Sequence, residues 1–258
     1  MVENGKHFYT VDDKPTYYPG VTGILDAIAK RALVPWASKE TANYTVKIMR
    51  LVVNAKRKPD ERFFETLIKR AKKQPTIIKE KAAKIGTAAH SDFDRYIVDM
   101  LAGKNPEPVQ NEFSLSFHYW LKTERLRIVC GDCKVASLDH GFGGSIDVGL
   151  ENEKRRFVIG DFKTGNNIYS SHAYQAGGGY SIAAKETFGL DYYPEAVIYR
   201  FLRNREAYYR AEIEDTQHCR QAFLDSMGLS CAETMIHFKK VELIKPKKKE
   251  KQKNETPC

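Results

Sequence analysis

Asp147, Asp161 and Lys163 fall in the stretch GGSIDVGLENEKRRFVIGDFKTG, residues 143–165, whose pattern brings these two carboxylates and one ammonium to one small patch. Ile146, Val148 and Leu150 alternate with Ser145, Asp147 and Gly149; after a charged turn, Phe157, Ile159, Asp161 and Lys163 alternate with Val158, Gly160, Phe162 and Thr164. Period-two alternation on both sides of a polar turn predicts a β-hairpin. A turn symmetric about Lys154 opposes Asp147 to Asp161. Directly opposed residues lie about 4.5–5.5 Å apart at Cβ, where like charges destabilise a sheet. Two carboxylates that close share a proton or bind a cation, and oxygen donors of this kind suit Mg2+ or Mn2+. Lys163 falls on the face of Asp161, two residues on.

Other elements must bring further groups to this patch. A long helix in TIIKEKAAKIGTAAHSDFDRYIVDMLAGK, stopping at Gly103, carries Gly86, His90 and Asp94 at i, i+4 and i+8, hence on one face. Asp132 precedes the hairpin, on the strand before it, where Gly131-Asp132 also reads as a turn or bulge. After the hairpin, SSHAYQAGGGYSIAAKETFG predicts a helix carrying Gln175 and Tyr180. Four intervening residues place Tyr180 off the face of Gln175 unless the three glycines distort the helix. Each of those glycines costs a helix interior about 1 kcal/mol relative to Ala, so the run implies a close approach by backbone or nucleic acid.

The rest of the chain is read as follows. A short hairpin covers residues 6–19 with its turn at Asp12–Lys14, and a helix follows from Gly20 to Lys30 with Thr22 as N-cap. A second helix runs from Pro35–Trp36 to a break at Lys58–Pro59. RFFETLIKRAKK forms a third, ended by Pro75, and PVQNEFSLSFHYWLKTE another after the His90 helix. Strands begin near Leu126, a pair in EAVIYRFLRNREAYYRAEIE turns near Asn204, and a last helix spans Thr216 to His237. The expected fold is α/β (α+β), a mixed central sheet flanked by helices behind a helical N-terminal half. The expected organisation is a hairpin and helical cap over 1–125, a core over 126–238 and a disordered basic tail over 239–258.

The order Asp147, Asp161-Phe162-Lys163 resembles the core of the PD-(D/E)XK nuclease superfamily. G-T-A-A-H-S-D-F-D around His90 resembles a motif of its RecB-like branch, with Asp94 where that branch often has Glu. Asp132-x-x-Val135 and the Gln175/Tyr180 pair match further positions, and YPGVTGILDAIAKRALVPWA looks like the opening of phage-type members. The resemblance covers roughly residues 16–215. It implies a restriction-endonuclease-like fold and metal-dependent hydrolysis of DNA, with Asp147, Asp161 and His90 holding Mg2+ or Mn2+ and Lys163 acting beside them. Gln175, Tyr180, Asp132 and Asp94 would support the site or contact nucleic acid. Iron–sulfur members need four cysteines, one before His90; no cysteine precedes His90 here, so no cluster is expected.

Composition bears on partners. The formal net charge is +9, and it is segregated: residues 47–84 carry thirteen Lys or Arg against four Asp or Glu, and residues 239–258 eight against three. Segregated basic charge is the footprint of a polyanion, which the resemblance implies is DNA, with single-stranded or free ends if the cap below forms. The hundred or so residues of helix ahead of the first core strand suggest a cap, basic face inward, that admits one strand end. No apolar run approaches the roughly 18 residues of a membrane span, and the start of the chain lacks a secretory layout, so a cytoplasmic location is expected, the host's if the chain is phage-encoded. No Walker A sequence occurs, so a helicase or recombination partner would be a separate chain. The five cysteines, odd in number, argue against a disulfide framework, and Cys130 and Cys133 are expected to be inert thiols. Removal of residues 245–258 should leave most DNA cleavage intact and flatten its salt dependence slightly; abolished cleavage would make the tail part of the site.

Overall fold

The computed structural model describes residues 2–3, 6–10, 18–28 and 33–235. The turn expected at Asp12–Lys14, the end of the helix expected to reach Lys30, and the tail lie outside these residues. Strands β1 (Val2–Glu3), β2 (Lys6–Tyr9) and β3 (Tyr18–Pro19) form a small antiparallel sheet, with Tyr9 opposite Tyr18. Helix α1 is only Val21–Ile24, continued by a 3-10 turn over Leu25–Ala27, and its N-cap is Gly20 rather than Thr22. Then come α2 (Leu33–Asn54), α3 (Glu61–Leu101) and α4 (Ser114–Thr123).

Helix α3 corrects the expected break at Pro75. The proline sits inside one continuous helix of 41 residues, whose N-cap carboxylate, Asp60, accepts the N–H of Phe63 at 2.8 Å. An interior proline costs about 3 kcal/mol through its missing N–H and its clash with the carbonyl four residues back. That carbonyl belongs to Ala71, which is buried with Leu67 on the side where α2 packs. Tertiary packing on both sides of Pro75 thus overrides the local propensity. Helix α4 starts at Ser114, later than expected, because Asn111 Oδ1 takes the N–H of Phe113.

Five strands follow: β4 (Arg127–Ser137), β5 (Phe142–Glu151), β6 (Phe157–Lys163), β7 (Glu195–Phe201) and β8 (Tyr208–Glu212). They form one sheet in the order β4-β5-β6-β7-β8, antiparallel except between β6 and β7, which are parallel. A parallel pair needs a long crossover. Here it is α5 (Ser170–Ala173), a π-helix over Tyr174–Tyr180, and α6 (Ser181–Thr187). Asn204, in the β7–β8 link, has φ +51°, as a turn residue there requires. Helix α7 covers Thr216–Met235. The protein is therefore α+β, a mixed five-stranded sheet between helices. Among the described residues, no helix is long and apolar enough to cross a membrane.

Each sheet face carries its own core. Cys133, Phe142, Ile146 and Ile159 pack with Val21, Tyr180 and Phe223. Val148, Leu150, Phe162 and Phe201 pack with Phe93, Phe117 and Trp120. The second core is densely aromatic: Phe93 stacks on Phe117 at 4.4 Å between centroids, and Trp120 meets Phe162 edge-on at 5.1 Å. Simple alternation assigns Ile146 and Val148 to one face, but they lie in different cores, so β5 turns over at Asp147. Across from it β4 is also irregular, because Asp132 has φ +46° within the strand. Cys130 and Cys133 are joined by a disulfide, contrary to expectation. A regular strand would point residues three apart to opposite faces; the left-handed Asp132 between them allows both sulfurs to meet.

The glycine run admits helix α7. A Cβ on Gly178 would lie 2.5 Å from the carbonyl oxygen of Cys219, a backbone atom that cannot swing aside. The close approach is thus by protein. Gly178→Ala should destabilise the fold by about 2–3 kcal/mol through overpacking, read as a lower urea midpoint, whereas an unchanged midpoint would mean that α7 moves away at no cost.

Candidate active site

The expected hairpin register is observed: Val148 pairs with Gly160, and the ladder is symmetric about Lys154. It stops there. Beyond this rung β5 pairs only with β4, and β6 only with β7. Asp147 and Asp161 are the first residues past the fork. The opening leaves the N–H of Phe162 without a ladder partner, and Asp147 Oδ2 accepts it at 2.6 Å. The other oxygen of Asp147 faces His90 Nδ1 at 3.1 Å. With Nδ1 protonated, His90 donates to the carboxylate and keeps Nε2 for a ligand, the arrangement by which carboxylates orient ligating histidines. Asp161 is 2% exposed and holds Lys163, whose Nζ lies 2.7 Å from Oδ1 and 2.6 Å from Oδ2.

Helix α3 delivers His90 for a simple reason. Ala89, Phe93 and Ile97, at i, i+4 and i+8, are its buried stripe, so His90 and Asp94 follow one residue round at the stripe's edge. Gly86, one turn earlier, makes a close approach: a Cβ there would lie 3.1 Å from Thr164 Oγ1, just past Lys163. The π-helix settles the spacing of Gln175 and Tyr180. At i, i+5 they would diverge on an α-helix, but the wider turn returns them to one face, and Gln175 Nε2 donates to Tyr180 Oη at 3.0 Å. Tyr180 is buried beneath the site, and burial raises its pKa, with the Asp161 and Asp147 charges adding to the effect.

The carboxylates differ in state. Burial alone would raise the pKa of Asp147, but the adjoining His90, Lys163 and the Phe162 N–H outweigh it and hold it below the usual value. Burial dominates at Asp161 and pushes it up to about 6; Lys163 opposes the shift and Asp147 adds to it. His90 is raised: burial works against its charged form, and the Asp147 carboxylate more than compensates. Asp94 is raised to about 7, first by burial and then by the charges of Asp147 and Asp132. Its Oδ1 is buried and has no hydrogen-bond partner among the described residues.

Asp132, left-handed within β4, bonds Lys134 Nζ at 2.6 Å, while Ser145 Oγ donates to the same oxygen. Asp132-Cys133-Lys134 repeats the form of Asp161-Phe162-Lys163, each an acid bridged to the lysine two residues on. Lys134 and Ser145 were not singled out from the sequence, although the repeated Asp-x-Lys spacing was there to be read. Among the described residues, no three His, Cys, Asp or Glu side chains are grouped to hold a metal ion. The donors nonetheless suit a hard divalent cation in kind: two carboxylates with raised pKa, an orphaned carboxylate oxygen and an oriented imidazole. Asp147 and His90 bond each other and Asp161 bonds Lys163, while Asp94 Oδ1 stays without a partner among the described residues.

No protein-family model matches the chain, and no curated protein matches it. The Asp94 carboxyl supplies a test of the site's electrostatics. Its folded-state pKa is raised, so its contribution to stability is present near pH 4 and is lost as pH rises to about 7. Asp94→Asn should therefore melt higher than wild type at about pH 8, with the gap closing near pH 4. Equal melting temperatures at both pH values would show that Asp94 is well solvated.

Proposed function

We propose that the chain is a Mg2+- or Mn2+-dependent deoxyribonuclease with a restriction-endonuclease-like core, of the PD-(D/E)XK type. The observation that carries this reading is the fork between β5 and β6. There Asp147, Asp161, Lys163 and His90, separated by up to 73 positions in sequence, meet in one half-buried place.

Asp147, Asp161 and His90 would hold the cation. When bound, it supplies a Lewis acid that polarises the phosphate and lowers the pKa of a coordinated water. The chain's own groups do the remainder. Lys163, held by Asp161, orients the attacking water and offsets the negative charge that develops on the phosphorus oxygens. Water oxygen bonds to phosphorus, the phosphorus–oxygen bond to the departing sugar breaks, and the water's proton passes to solvent or the leaving oxygen. Asp147 fixes the His90 ring, and Phe162 N–H fixes Asp147. Gln175 and Tyr180 brace the crossover that carries the floor of the site. All thirteen basic side chains in 47–84 are exposed, and none is in an ion pair among the described residues, so they are free to meet phosphates.

Two substrate modes separate on one feature. A helical cap turned over the site would favour single-stranded ends and an exonuclease. However, α2 packs along α3 rather than over the sheet, which favours an open cleft and an endonuclease. Purified full-length chain with end-labelled linear and closed circular single-stranded DNA, in Mg2+, Mn2+ or EDTA, addresses both questions. Cleavage in metal and none in EDTA is expected. Asp161→Asn should abolish it, and Lys163→Ala should lower turnover by about 10²–10³-fold with little change in affinity. Undiminished cleavage by Asp161→Asn would defeat the reading. Circles cut as fast as linear strands would select the open cleft.

A further inference from the structure

The hairpin of α2 and α3 has an uncovered face. None of the 22 residues of α2 is buried. Ala42, Val46 and Val53 recur at helical spacing along one side of α2, and Phe64, Ile68 and Pro75 along the adjoining side of α3. Val53 is 68% exposed, Ile68 53% and Val46 49%. Between the helices runs an open groove whose lining includes Ala42 and Pro75. Scattered apolar residues on a surface are ordinary, but two aligned stripes flanking a groove mark a binding face.

The surrounding charge selects the occupant. Residues 47–84 carry a net +9, all of its basic side chains exposed. A second copy of this chain would set that block against itself, and residues 239–258, at +5, meet the same repulsion. DNA phosphates would neutralise the lysines and arginines, and a base would stack on Phe64, but Val46, Val53 and Ile68 would stay in water, since aliphatic side chains offer bases no stacking platform. An amphipathic helix with an apolar stripe and Asp or Glu flanks satisfies both features. Laid in the groove, it completes a three-helix layer along α2, which is about 33 Å long.

We propose that the α2–α3 face docks one acidic amphipathic helix of a partner protein. This goes beyond the nuclease reading and does not rest on it. The probe is a fluorescein-labelled 21-residue peptide with leucines in a heptad repeat and glutamates flanking them. Its control is a scrambled peptide of the same composition, and anisotropy is read with the full-length chain. The repeat peptide should bind at least about tenfold tighter than the scrambled one, and Val46→Ser with Ile68→Ser should remove that advantage. Both positions are exposed, so folding should survive, and circular dichroism checks it. Equal binding of the two peptides would mean bare charge attraction and overturn the proposal, as would an advantage that survives the double substitution. Sedimentation showing a dimer of the unmodified chain that the double substitution dissociates would make a second copy the occupant. Loss of oligonucleotide affinity on the same substitutions, without loss of peptide affinity, would assign the face to nucleic acid.

Discussion

The bond from Phe162 N–H to Asp147 Oδ2 is the contact on which the site depends. Where β5 and β6 part, a backbone donor is left inside the protein with no strand opposite. An unsatisfied buried donor costs about 1–3 kcal/mol. A carboxylate at the first position past the fork removes that cost and becomes immobile in doing so. Its second oxygen then fixes the His90 ring, and its charge raises the pKa of neighbouring Asp161 and Asp94. His90 and Lys163, joined by this strand N–H, thus hold the pKa of Asp147 down against its burial.

The fork is held open by what packs on either side of it. Phe162 anchors β6 in a cluster with Phe93, Phe117, Trp120 and Phe201. Burying each aromatic ring contributes roughly 1.5–3 kcal/mol. On the other face, Ile146 and Ile159 meet Tyr180 and Phe223, which requires the π-helix and the bare backbone of Gly178. The chain crosses from one core to the other at Asp147. A charged residue is tolerated there because it lies at the seam between the cores.

Helix α3 joins two regions with different demands. At 41 residues it is about 60 Å long. Its second half is a wall of the aromatic core and presents His90 and Asp94. Its first half runs beside α2 and presents positive charge and uncovered apolar side chains. Pro75 lies in this first half, where α2 supports the helix.

Much of the arrangement of these side chains was legible in the sequence by itself. Alternation and a charged turn indicated the β5–β6 hairpin, and a turn symmetric about Lys154 gave the register that the ladder follows as far as Val148 and Gly160. Spacing determined that Gly86, His90 and Asp94 share a helix face, and the Asp-x-Lys step that Lys163 would stand beside Asp161. Tertiary structure decided the rest. It bound Phe162 N–H to Asp147, carried α3 through Pro75, turned β5 over between Ile146 and Val148, and joined Cys130 to Cys133. It also widened the helix so that Gln175 meets Tyr180, and left the α2–α3 face bare. Local pattern reports which side of its own element a residue occupies. It does not report where two strands part, or whether packing from elsewhere repays a proline, a left-handed aspartate or a π-turn, since those costs are met only by residues distant in sequence.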